Sequence, residues 1–207
     1  MVAAAAPTVT LTGWTFGSGN AVDVNAPLYS GQAGGYTGAL SGFGAPFDTA
    51  SFQAYCVELT QQFSFGSGGM TDYSIVPGAT DPQWLNPAAS ANRIGQLITY
   101  VNANPTAVDT AAESTSLQLA IWNSIYDTDN TLTGGTFTDT SGYKTYANTL
   151  LANSIGTVSN LNVYVLTNSQ KQDFLVTRPV PEPSTYALMM AGLMGMSFTG
   201  RRRRVPH

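Results

Sequence analysis

Phe52-Gln53-Ala54-Tyr55-Cys56-Val57-Glu58-Leu59 (residues 52–59) alternates along its length, with Phe52, Ala54 and Cys56 on one face and Tyr55, Val57 and Leu59 on the other. A period of two predicts a strand. Further along, the period changes. Pro82 to Asn104 places Ala91, Ile94, Leu97, Ile98 and Val101 at helical spacing and stops at Asn104-Pro105. Thr110 to Tyr126 predicts a second helix with Leu117, Ile121 and Ile125 on one side, and Ser141 to Asn153 a third. Leu161–Leu166 and Phe174–Thr177 return to strand around a polar turn at Thr167–Gln170. Toward the N-terminus, Val9 and Leu11 alternate with threonines until Gly13 shifts the phase, which predicts a bulge. Residues 30–49 hold seven glycines or prolines and read as a loop or edge hairpin, and Phe63–Phe65 as a short strand. The fold class expected is α+β: an antiparallel sandwich or barrel-like sheet with a helical subdomain inserted at about 82–155, and a short C-terminal apolar helix. No internal repeat is visible.

Composition narrows the function. Only 10% of the 207 residues are charged, well below the usual ~25%, as in many secreted β-rich chains. Cys56 has no partner cysteine and the one histidine is His207, which excludes an internal disulfide, a Cys/His metal cluster and histidine-dependent hydrolases. No glycine-rich phosphate loop precedes a helix. The net charge of −4 hides a division: Arg201, Arg202, Arg203 and Arg204 are half of the eight basic residues. Residues 1–200 keep four basic against twelve acidic residues, a balance of −8 that leaves no surface for nucleic acid.

The arginines follow an apolar stretch, Thr185 to Thr199. As a helix it spans roughly 22 Å against a ~30 Å hydrocarbon core, and snorkelling and bilayer thinning allow a short stay in the membrane. The arginines would remain cytoplasmic and the preceding chain would lie outside. Before the stretch stand Pro181, Glu182 and Pro183, which favour an extended, exposed segment. Pro-Glu-Pro, apolar helix and arginine cluster in this order resemble the PEP-CTERM sorting signal, here residues 179–207 with the membrane segment at 185–200. The resemblance implies a Gram-negative bacterium, processing by an exosortase after transient inner-membrane contact, and delivery to the cell surface or an exopolysaccharide-rich biofilm matrix. Residues 1–7, Met-Val-Ala-Ala-Ala-Ala-Pro, resemble the small-residue end of a secretory signal peptide.

Two segments carry candidate chemistry: Ala54-Tyr55-Cys56-Val57 on the strand and Leu117-Gln118-Leu119-Ala120-Ile121-Trp122 on the second helix. Alone, Cys56 reads as a buried small hydrophobe and Gln118 as a solvated or capping group. Together, Tyr-Cys-hydrophobic and, some sixty residues on, Gln-x-Ala-Ile-Trp resemble the thioester domain of bacterial surface adhesins, over about residues 8–178. In that family the cysteine attacks the glutamine amide, ammonia leaves, and an internal Cys–Gln thioester results; the matching pair here is Cys56 and Gln118. The resemblance implies single-turnover covalent capture rather than enzyme turnover, with no cofactor or metal, and an amine-bearing surface protein or extracellular polysaccharide as partner. Trp122, one turn beyond Gln118, is placed to shield the bond from water, whereas Tyr55 points to the other strand face and serves packing. A thiol tied into a thioester is also protected from oxidation, as a buried free thiol would be.

Two weaker candidates remain. Asp127-x-Asp129-Asn130 has oxygen ligands at odd spacing but lacks the glycine and glutamate of a calcium loop, which favours a helix-terminal turn. Glu58 shares a strand face with Cys56 and reads either as a group that polarises the attacking atom or as a solvent-facing carboxylate. A non-reactive β-rich matrix component is the alternative function; a polysaccharide-acting enzyme finds no readable carboxylate pair.

Overall fold

The computed structural model describes residues 6–66 and 69–180. Cys56 does sit on a strand, but the strand runs from Thr49 to Cys56 instead of 52–59, so Cys56 is its last residue. Val57, Glu58 and Leu59 are buried beyond it, with the Val57 N–H still donating to the Asp173 carbonyl at 3.1 Å, and burial accounts for their pattern. In chain order the elements are β1 (Thr8–Trp14), β2 (Asn20–Asn25), β3 (Tyr29–Ala33), β4 (Tyr36–Ser41), β5 (Thr49–Cys56), β6 (Met70–Thr71), β7 (Ser74–Pro77), α1 (Pro87–Ala103), α2 (Ala111–Tyr126), β8 (Thr138–Asp139), α3 (Lys144–Ser154), β9 (Leu161–Thr167) and β10 (Phe174–Pro179).

Seven strands form one curled antiparallel sheet in the order β6-β1-β4-β5-β10-β9-β7, and β3-β2-β8 form a second. The chain is therefore α+β, with the helices between strands that share a sheet. The β1–β4 register shifts between Leu11 and Gly13, the bulge expected at that glycine.

Three further expectations fail. Residues 30–49 contain β3 and β4, and β4 lies inside the large sheet between β1 and β5. Its glycines make this possible: a Cβ at Gly38 would run into the Thr10 carbonyl oxygen of β1, so the close approach of β4 to β1 requires glycine. Phe63–Phe65 is not a strand; its rings pack on Tyr36, with Phe63 4.8 Å away centroid to centroid. Helix α1 begins at Pro87, not Pro82, with the proline in the first turn, where its missing N–H costs nothing.

Helix α2 is the centre of the molecule. Every residue from Ser114 to Ile125 is buried, and the helix touches α1, α3, β2, β3 and β5. Burying side chains such as Leu117, Leu119, Ile121 and Ile125 contributes about 1.5–3 kcal/mol each, so tertiary burial holds this helix more than propensity does. Its start is fixed by a capping box. The Thr110 hydroxyl accepts from the Glu113 N–H (3.3 Å), and the Glu113 carboxylate accepts from the Thr110 N–H (3.0 Å).

Candidate functional site

The site begins as a vacancy in the ladder. Strand β5 pairs with β10 on one side, Phe174 opposite Cys56. On the other side, β4 pairs Tyr36 with Ala54, so the next antiparallel partner of Cys56 would be Gly34. The chain has already turned away there. Gly34 has φ +151°, and the Gly35 N–H donates to the Ser114 hydroxyl of α2 at 2.8 Å. The Thr115 hydroxyl donates to the Ala33 carbonyl at 2.8 Å. A Cβ at Gly35 would stand 2.9 Å from the Tyr55 ring and 3.1 Å from Ser114 Oγ, so glycine allows α2 to approach.

One turn along α2, Gln118 fills the vacated position. The Cys56 N–H donates to Gln118 Oε1 at 2.9 Å, and Gln118 Nε2 donates to the Cys56 carbonyl at 2.7 Å. The carboxamide thus bonds Cys56 as a neighbouring strand residue would. Both residues are buried, Cys56 5% exposed and Gln118 0%. The Cys56 thiol donates to the Tyr36 hydroxyl at 3.7 Å. Burial pushes this thiol up to about 12; the Tyr36 hydrogen bond pulls it down and the nearby Glu58 carboxylate adds to the rise. The sulfur is therefore protonated at neutral pH.

Tyr55 lies on the other strand face, buried, with its hydroxyl 3.5 Å from Ser114 Oγ. Trp122 is buried one turn after Gln118 and packs edge-on against Tyr29, 5.6 Å between centroids. Tyr29, Tyr36, Cys56, Glu58, Gln61 and Trp122 are among the residues that line an open cavity of about 300 Å³. Trp14 and Phe65 also line it, 5.7 Å apart between ring centroids.

Glu58 corrects one expectation: it is 5% exposed and not solvent-facing. Its Oε2 accepts from the Thr60 hydroxyl at 3.2 Å, whereas Oε1 has no partner among the described residues. Burial raises its carboxyl above the ordinary range, with the nearby Asp81 carboxylate adding to the rise. Neither Tyr36 nor Gln61 stood out in the sequence. Tyr36 sits in the glycine-rich stretch, where no periodicity marked a buried strand.

Asp127 and Asp129 lie away from this site and serve the turn after α2. Asp127 accepts from the N–H groups of Thr128, Thr136 and Phe137 at 2.6–2.7 Å, and Asp129 Oδ1 from Thr131 N–H at 3.1 Å. Arg93 donates to the carbonyls of both aspartates. Among the described residues no group of three or more acidic, cysteine or histidine side chains is arranged to hold a metal.

Residues 179–204 match the PEP-CTERM protein-sorting motif. The motif marks an exported, exosortase-sorted surface protein. Pro181, Glu182, Pro183, the apolar segment at 185–200 and the arginines from Arg201 to Arg204 lie outside the described residues. Among the described residues no helix is long and apolar enough to cross a membrane. The sheet ends just before the motif core: β10 closes at Pro179 and Val180 N–H donates to the Asn160 carbonyl at 2.8 Å. No curated protein matches the chain. Among solved structures, the chain is similar to the N-terminal thioester domain of a surface protein from Clostridium perfringens, at 18% identity and a TM-score of 0.46. That likeness covers 64% of this chain and 84% of the other.

Proposed function

We propose that Cys56 and Gln118 condense into an internal thioester within residues 8–178, and that the exported protein spends it once, acylating an amine on a surface protein or extracellular polysaccharide. The observation that carries this reading is the pair of hydrogen bonds between the Gln118 carboxamide and the Cys56 main chain. They hold the amide against the residue that bears the sulfur, which replaces a bimolecular encounter by fixed proximity.

In the condensation, Sγ of Cys56 bonds to Cδ of Gln118, the Cδ–Nε2 bond breaks, and the thiol proton leaves with the nitrogen as ammonia. Charge builds on Oε1 as sulfur adds, and the Cys56 N–H already donates to that oxygen, as an oxyanion-hole donor would. The thiol, protonated at neutral pH, needs a proton acceptor, and the Tyr36 hydroxyl on Sγ is the first link available. In the second step an amine attacks Cδ, the C–N bond forms, and the sulfur leaves with the electron pair and takes up a proton. Burial of Cys56 and Gln118 limits hydrolysis by water, with Trp122 in the wall of the adjoining cavity. The sorting segment at 179–207 delivers the reactive domain to the cell surface or matrix.

Intact mass of freshly purified protein tests this. Wild type is expected to lack one ammonia, and Cys56→Ala and Gln118→Ala to keep their full mass; methylamine is expected to add at Gln118. A full-mass wild type with an alkylatable thiol overturns the reading and leaves the second one, an unreactive β-rich matrix protein. The burial of Cys56 within the apolar core is what that second reading requires. Truncation before Val180 is expected to release the protein into the medium; continued surface retention contradicts sorting through this segment.

A further inference from the structure

Three buried polar atoms around the cavity beside Cys56 have no hydrogen-bond partner among the described residues: Glu58 Oε1, Gln61 Oε1 and Trp122 Nε1. A buried unpaired acceptor or donor costs about 1–3 kcal/mol, so the residues lining this one cavity carry three polar atoms that the fold leaves unpaired. Two are acceptors and one of these is a carboxylate, which suits a group rich in N–H donors. The rest of the wall mixes aromatic rings, Tyr29, Tyr36 and Phe63 among them, with uncharged Ser and Gln side chains, and holds no basic residue. Cation–π attraction on such rings favours an alkylammonium over an anion.

An ammonium is not a nucleophile, because its nitrogen lone pair is occupied by a proton. We infer that Glu58 is the group that takes this proton, converting an incoming ammonium into a free amine beside the Cys56–Gln118 bond. The inference rests on the thioester reading above. Glu58 is two residues from Cys56, lines the same cavity, and lies close enough to act on the Cys56 thiol electrostatically. The balance is complete. One ammonium proton passes to the Glu58 carboxylate, and the amine nitrogen bonds to Cδ of Gln118 as the Cδ–Sγ bond breaks. The second nitrogen proton goes to the leaving sulfur, and Glu58 returns its proton to solvent. The products are an amide and the Cys56 thiol.

The groups that face Glu58 fix when it can act. Thr60 donates to it, and Asp81, Asp173, Tyr73, Tyr126 and Cys56 are the titratable groups around it. Burial first, and then the Asp81 carboxylate, hold the carboxyl protonated to higher pH than usual, against hydrogen bonds from Thr60 and the Asp173 main chain, and bring it toward the range useful to a base.

The test compares methylamine, charged at neutral pH, with hydroxylamine, largely uncharged there and in no need of deprotonation. In Glu58→Gln the methylamine rate is expected to fall about a hundredfold relative to the hydroxylamine rate. A change in that ratio of less than about threefold overturns the role of Glu58. The wild-type pH profile is an independent arm. The methylamine rate is expected to level off once Glu58 is ionised, whereas a rise of about tenfold per pH unit up to the amine's own range overturns the inference. The profile decides even if Glu58→Gln does not fold. Failure of the underlying reading has a different signature: wild type then shows no loss of ammonia and no methylamine adduct at any pH.

Discussion

The carboxamide of Gln118 and the main chain of Cys56 are joined by two hydrogen bonds, 2.9 Å and 2.7 Å, in the strand position that Gly34 leaves empty. A helix side chain thereby completes a β-ladder. The same contact fixes the distance between a thiol-bearing residue and an amide, so site and fold are stabilised by one arrangement.

Gln118→Glu separates the two roles. A buried carboxyl at this position can donate to the Cys56 carbonyl only when protonated. The variant is expected to be most stable at acidic pH and to lose about 2–4 kcal/mol as pH rises well above the ordinary glutamate range. Denaturant melts across pH measure this, and intact mass should show no ammonia loss, because the leaving nitrogen is gone.

Tyr36→Phe removes the acceptor on Cys56 Sγ while keeping the ring among Trp14, Phe63 and Phe174. Stability is expected to change by less than about 1.5 kcal/mol. The thiol, already near 12, moves further up without its hydrogen bond. Condensation followed by mass during refolding should slow by about tenfold, the size of a single lost proton-transfer or hydrogen-bond contribution.

Gly35→Ala places a methyl against the Tyr55 ring and Ser114 Oγ. The expected cost is about 1–3 kcal/mol. Because Gln118 is one turn from Ser114 on the same helix, the fraction of molecules lacking ammonia should fall with the stability. Chemical denaturation and intact mass on one preparation check both.

Asp173 predicts a pH dependence of folding. Burial lifts its carboxyl from 3.8 to about 7, with the nearby Glu58 and Asp81 adding to the rise and the Asn168 N–H, donating at 2.7 Å, opposing it. The folded protein therefore binds more protons than the unfolded chain between these values, so stability falls as pH rises through that window and is lowest above it. Asp173→Asn is expected to flatten the slope and to gain about 1–2 kcal/mol at pH 8, allowing for solvent screening. Unchanged melts from pH 4 to pH 8 in wild type would contradict this.

Much of the fold was legible because burial leaves a local period. The helical stripe of Ile94, Leu97 and Ile98, the Thr110–Glu113 box and the alternation through Cys56 each report the face that an element turns inward. β4 was not legible. Its glycines read as breakers, and only the neighbouring strands and α2 reveal that close approach is what they serve. Glu58 differs from its expectation for a related reason: a carboxylate near a strand end looks solvent-facing until residues from other segments are placed around it.

By itself the sequence determined the α+β class, the division of charge between a −8 body and an arginine-tipped sorting segment, and the two short motifs that carry Cys56 and Gln118. Only the tertiary structure decided that Gln118 replaces a strand opposite Cys56, that Tyr36 receives the thiol, and that Glu58, Gln61 and Trp122, each with an unpaired buried atom, line one cavity. Periodicity encodes which way a side chain points from its own backbone. Which atoms from sixty residues away it meets depends on where β4 turns at Gly34 and how closely α2 packs, and those are set by contacts distant in sequence.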